Sequence, residues 1–138
     1  MIEQLSQGII RQELSTFDRF NLENDMYALA MGGFTSLVDY LHLLLNAFIN
    51  ETDDELVWKD IESNIIRIGT LLEYDPQLRD FYRTYVNYFH RSLYQRIGFT
   101  AESNQEPVAR GRLRCFLLVI LGSYSTPSAV RCRRVLVS

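Results

Sequence analysis

The 138 residues predict an all-α fold. Apolar side chains recur three and four apart over long stretches, and sustained period-two alternation is scarce. Ser, Thr and Asp stand ahead of the periodic runs, and Gly follows them. The helices pair into stacked antiparallel hairpins of roughly 40 residues each, the pattern of a HEAT- or armadillo-like α-solenoid.

Each element has its own signal. Ser15-Thr16-Phe17-Asp18 offers capping side chains for a helix reaching about Met31, with Leu22, Met26, Leu29 and Ala30 on its inner stripe. Gly32-Gly33 stops it. Thr35 or Ser36 caps a second helix that places Leu37, Leu41, Leu44, Leu45 and Phe48 on one face. The short connection folds these two helices into a hairpin. Thr52-Asp53-Asp54-Glu55 fits a capping box for a third helix, whose buried stripe is Trp58, Ile61, Ile65, Ile68 and Leu72.

Asp75-Pro76 opens a fourth helix, with proline where its missing amide costs nothing. Leu78, Tyr82, Tyr85, Val86, Phe89, Leu93 and Ile97 mark its inner face before Gly98 ends it. Tyr88 and Tyr94 are the rings expected on its exposed side. Residues 99–106 are polar and form the one candidate break in a single domain of residues 1–138. A fifth helix is expected from Val108 to about Ser123; the run Cys115 to Leu121 fits a buried strand by periodicity alone, but no turn signal separates it from Arg110, Arg112 and Arg114. Thr126 or Ser128 caps a last short helix from Pro127 to Leu136.

Composition sets the outer bounds. With 47% apolar, 12% aromatic and 22% charged residues, seven Gly and three Pro, the chain is neither a disordered tail nor a collagen-like or Pro-rich polymer. Its longest apolar run is seven residues, against roughly 20 for a membrane-spanning helix. The amino terminus lacks the basic flank and apolar stretch of a secretory signal, so the expected location is cytoplasmic. Cys115 and Cys132 are too few for a disulfide framework and read as reduced thiols.

The net charge of −3 conceals a division: all seventeen acids and eight basic residues lie in 1–106, while 107–138 carries six Arg and no acid. That end is a candidate surface for an acidic partner or for the remainder of a larger protein.

Signals for catalysis are few. There is no His-Glu-x-x-His helix, glycine-rich phosphate loop or nucleophile elbow. His42 and His90 lack a second ligand at helical spacing and read as structural; Asp39 stands three residues before His42 as a surface neighbour. The Asp53-Asp54-Glu55 cluster reads as a helix start, not a cation site. Asn50-Glu51-Thr52 matches a glycosylation sequon, but Thr52 has a better use as a cap. Arg110 and Arg114, four apart, read as a solvated or interdomain face. Neither nucleic-acid binding nor membrane binding is expected, since the chain is acidic overall and has no recognisable stacking platform.

One stretch carries a resemblance. In Phe17-Asp18-Arg19-Phe20-Asn21-Leu22-Glu23-Asn24-Asp25-Met26-Tyr27-Ala28-Leu29-Ala30-Met31-Gly32-Gly33, the residues Asp18, Arg19, Asp25, Ala28, Leu29 and Ala30 match a pattern of Asp-Arg, then Asp, then Ala-Leu-Ala and Gly. Asn50-Glu51 with Trp58, Arg96-Ile97-Gly98-Phe99 and Arg110-Gly111 continue the pattern in order. This resembles the entry to the carboxyl-terminal helical domain of the gluzincin zinc aminopeptidases, most of all their puromycin-sensitive, cytosolic subgroup.

The resemblance implies a noncatalytic superhelical domain that packs on a catalytic domain of the same protein and encloses the cavity for a peptide substrate. The zinc helix and exopeptidase loop of such enzymes lie in an earlier domain, so no catalytic or metal residue transfers to this chain, which needs no cofactor of its own. Asp18, Arg19 and Asp25 read as a structural ion-pair and capping cluster, Trp58 and Gly98 as structural signature positions, and Arg110 as a candidate for the cavity wall. Since such domains run to roughly twice this length, the chain is expected to be the first part of a longer one, prone to self-association through an uncapped end. The rival reading is a free-standing helical-repeat adaptor that binds a protein through its Arg-rich end.

Overall fold

A computed structural model describes residues 2–51, 54–98 and 104–122, and these are helical apart from turns. The helices are α1 (Ile2–Ile10), α2 (Thr16–Met31), α3 (Leu37–Asn46), α4 (Glu55–Leu72), α5 (Pro76–Ile97) and α6 (Val108–Gly122), with a 3₁₀ turn at Phe48–Asn50. The chain forms two compact units, Met1–Leu71 and Leu72–Ser138. The all-α expectation holds; the last helix expected at 127–136 and Cys132 lie outside the described residues.

In the first unit, α1 is an element that periodicity did not reveal. It has nine residues with Gly8 among them, too short to be stable alone, and it forms by packing on α3 and the 3₁₀ turn. Ser6 and Ile9 are its buried residues. Ser15 caps α2 reciprocally with Asp18: the Ser15 hydroxyl accepts from the Asp18 amide at 3.1 Å and donates to the Asp18 carboxylate at 2.6 Å. At the other end Phe34 N–H bonds Leu29 O and Gly33 N–H bonds Ala30 O, a Schellman closure with Gly33 at φ 75°.

The buried face of α2 corrects the expected stripe. Arg19, Glu23, Met26 and Ala30 are buried, Leu22 is half-buried and Leu29 is 41% exposed. Two charged residues thus occupy positions that hydrophobicity alone would not assign to an interior.

Helix α3 packs on α2 and α1. Ser36 is its cap, accepting from the Val38 amide at 3.1 Å. The helix ends at Asn46, earlier than expected, and the 3₁₀ turn buries Phe48 and Ile49. Tyr40, Leu43, Leu44, Ala47 and Phe48 are almost wholly removed from water. At α4 the observed cap is Asp54, whose carboxylate accepts from Leu56 N at 2.9 Å and Val57 N at 3.4 Å; Thr52 and Asp53 lie outside the described residues. Of the expected stripe, Trp58, Ile61, Ile65 and Ile68 are buried, whereas Leu72, the last residue of the helix, is half-buried.

In the second unit, Asp75 accepts from Gln77 N and Leu78 N, and Pro76 starts α5. Tyr82, Phe89, Leu93 and Ile97 are buried, whereas Leu78 is exposed. Tyr82, Tyr85 and Phe89 form a ladder with ring centroids 6.1 Å apart at both steps. Tyr88 is exposed as expected, but Tyr94 is half-buried. Helix α6 packs on α5 and buries Leu113 and Leu117, which removes the strand alternative for that run.

Gly98 ends α5 at φ 78° and ψ 167°, a region essentially closed to residues with a Cβ. Gly98→Ala is therefore expected to destabilise the fold by about 1–3 kcal/mol, measured as a lower midpoint in chemical denaturation followed by helical circular dichroism. An unchanged midpoint would show that the turn relaxes without strain.

Candidate functional site

The interior of the first unit contains two linked polar clusters built on α2. Arg19 and Glu23 lie one turn apart on its buried face. The Arg19 guanidinium forks onto the Glu51 carboxylate, Nε to Oε2 at 2.6 Å and Nη2 to Oε1 at 3.2 Å. Its remaining contacts go to Leu14 O at 2.7 Å and the Thr16 hydroxyl at 3.3 Å. Glu51 is also 5% exposed, and its backbone carbonyl accepts the Trp58 indole N–H. One residue after the 3₁₀ turn thus ties α2 to α4, through its side chain on one side and its main chain on the other.

Glu23 is the second centre, and it is fully buried. The Tyr40 hydroxyl donates to its Oε1, and Asn64 Nδ2 lies 3.1 Å from Oε1 and 3.4 Å from Oε2. Asn64 also reaches Asp60 Oδ2 at 3.5 Å, so its amide spans two carboxyl groups. Burial, reinforced by the hydrogen bond to Asp60, raises the Glu23 carboxyl from its ordinary 4.5 to about 8; Tyr40 and Asn64 oppose that shift. The Tyr40 ring is held edge-on by Tyr27 at 5.6 Å.

In the second unit Arg114 is 7% exposed and closes the end of α5. It donates to Gly98 O at 2.7 Å and Ile97 O at 3.2 Å, and to the two Glu106 oxygens at 3.1 and 2.5 Å. A cation at a helix C-terminus meets the negative end of the helix dipole. Arg114 holds the Glu106 carboxyl below its ordinary range, with a smaller contribution from Arg110. Of the two alternatives for the face shared by Arg110 and Arg114, solvated or interdomain, the solvated one fails for Arg114, because α5 and Glu106 supply acceptors that no local spacing reveals. Arg110 is half-buried in the first turn of α6, its amide bonded to Pro107 O.

The signature positions separate into distinct surroundings. Asp18 caps α2, Arg19 enters the interior, and Asp25 stands exposed on α2 outside both bond sets. Ala30 and Trp58 are buried, Ala28 and Leu29 exposed, and Gly98 terminates α5. Glu23, Tyr40, Asn64, Glu106 and Arg114 are the polar residues that sequence reasoning did not assign to a site. Their only local signal is the spacing of Arg19, Glu23, Met26 and Ala30, which places charge on a heptad-like stripe.

A shallow cleft of about 440 Å³ between α1 and α3 is lined by Glu3, Ser6, Gln7, Asp39, His42 and Asn46 among others. His42 is exposed there, whereas His90 is 1% exposed beside the Phe89 ring. Among the described residues no group of three His, Cys, Asp or Glu side chains is placed to hold a metal ion. No helix of the described residues is long and apolar enough to cross a membrane.

Residues 1–135 match the family model of the ERAP1-like C-terminal domain. The chain is similar to Aminopeptidase M1-A of Oryza sativa subsp. japonica, 27% identical over 134 residues, which cover 95% of the chain and 15% of that protein. No solved structure gives a significant match.

Proposed function

Since this chain belongs to the ERAP1-like C-terminal domain family, we propose that it serves a zinc aminopeptidase as a noncatalytic helical domain, packing on the catalytic domain and helping to enclose the peptide cavity. The observation that carries this reading is the family match across nearly the whole chain. It is supported by a sequence that spans only a small part of a related aminopeptidase. The polar chemistry of the described residues fits such a role: Arg19 and Arg114 use their guanidinium donors on carboxylates and backbone carbonyls that hold helices in register. In this reading the hairpins continue a solenoid, Arg110 contributes to the cavity wall, and zinc belongs to the catalytic domain.

The purified 138-residue chain is expected to leave aminoacyl amides unhydrolysed and to retain no stoichiometric zinc after dialysis. A chelator-sensitive aminopeptidase activity in that preparation would sink the proposal. Binding of the chain to a separately expressed catalytic domain, measured by titration calorimetry, is the positive test.

A further inference from the structure

Glu23 has no ion partner among the described residues, although Arg19 stands one turn away on the same helix face. That spacing ordinarily makes a pair. Here the Arg19 donors are taken by Glu51, Leu14 O and the Thr16 hydroxyl. What faces Glu23 from α3 is the Tyr40 hydroxyl, and from α4 the Asn64 amide and the Asp60 carboxyl. A charge wholly removed from water and without a counter-ion is too costly to keep, so the group neutralises. The Asn64 amide bridges the two carboxyl groups, 3.1 Å from Glu23 and 3.5 Å from Asp60; such neighbours cannot both be ionised without repulsion, and a shared proton turns that repulsion into a bond.

We propose that one proton, carried by Glu23 and donated to Asp60, is a latch that closes α2, α3 and α4 into a single packed body. Tyr40 and the shorter Asn64 contact both go to Oε1, so Oε2, at 3.4 Å from Asn64, is the less committed oxygen and carries the proton. Asn64 spans both acids and fixes their approach. Folding of the first unit therefore takes up a proton from solution, and alkaline conditions loosen the three-helix contact.

The sign follows from linkage. The folded Glu23 keeps its proton up to about pH 8, whereas the unfolded residue releases it near 4.5. The contribution is complete below the unfolded value, declines as pH rises between the two, and levels off above about 8.

The test is denaturant unfolding of the full chain followed by the fluorescence of Trp58, its sole tryptophan and a residue of the first unit. Between pH 5 and 8 the wild-type unfolding equilibrium constant is expected to rise up to tenfold per pH unit relative to that of Glu23→Gln, which is neutral at every pH. Parallel pH profiles for the two proteins would overturn the latch. Should Glu23→Gln fail to fold, infrared spectroscopy of the wild type decides: a protonated-carboxyl band present at pH 6.5 and gone by pH 9.5 supports the proposal. No such band at pH 6.5 refutes it.

Discussion

Arg19→Met is expected to lower the stability of the first unit by about 3–5 kcal/mol, the cost of leaving one member of a buried ion pair without its partner. Both ends of the pair are shielded, with side-chain exposures of 11% for Arg19 and 5% for Glu51. Methionine restores much of the volume of the arginine stem but none of its donors. Glu51, still buried, would then lose both prongs of the guanidinium, and Leu14 O and the Thr16 hydroxyl would each lose a bond. Against a typical total of about 5–15 kcal/mol for a folded domain, the change is large enough to unfold part of the population. Urea denaturation followed by Trp58 fluorescence reads it directly. The double variant Arg19→Met with Glu51→Gln should recover part of the loss, because the buried charge that faced Arg19 is gone. Arg19→Lys should fall between, since an ammonium cannot reproduce the two-pronged contact. A loss below about 1 kcal/mol for Arg19→Met would place the pair in the range of a solvent-screened one and discard the interior role given to it here.

Trp58→Ala is the second large effect, with an expected loss of about 3–5 kcal/mol from the cavity left by a buried aromatic side chain. Trp58 is 3% exposed and its indole donates to the Glu51 carbonyl. Trp58→Phe separates these contributions. It keeps most of the apolar ring but removes the indole donor to the Glu51 carbonyl, which should cost about 1–3 kcal/mol. Because the fluorophore is removed, helical circular dichroism is the probe for both variants. Equal losses for Ala and Phe would mean that the hydrogen bond carries the whole contribution and the ring packs poorly. Arg19 and Trp58 both meet Glu51, so their effects should be strongly non-additive.

Much of the helical layout is legible in the residues themselves. Ser15, Ser36 and Asp75 cap helices because their side-chain oxygens satisfy amides that the first turn leaves open, and this depends on only three or four consecutive residues. Gly33 and Gly98 mark stops because their positive φ is a conformation that residues with a Cβ rarely adopt. The α4 stripe is legible for a related reason: Trp58, Ile61, Ile65 and Ile68 are all apolar, so period and burial coincide. Helix α1 was hidden because nine residues around a glycine carry little periodic signal, and its support comes from α3, some thirty residues away in sequence.

The polar centres were legible only in part. Arg19, Trp58 and the Asn50-Glu51 turn stood out by resemblance, but nothing local joined Arg19 to Glu51 across 32 positions. Glu23 drew no notice, since a lone glutamate on a helix is ordinarily a solvated one. Arg114 is one of six arginines in 107–138, and nothing local sets it apart; the end of α5 supplies the two carbonyls that do.

By itself the sequence determined the five longer helices and most of their punctuation, the absence of familiar catalytic motifs, and the family resemblance. All of these rest on contacts within a few residues or on ordered short motifs. Only the tertiary structure decided which face of α2 is buried and which charges enter the interior. A charge is tolerated there when distant residues supply its hydrogen bonds, its counter-ion or its proton, and Glu51, Tyr40, Asn64 and Asp60 are brought to α2 only by folding.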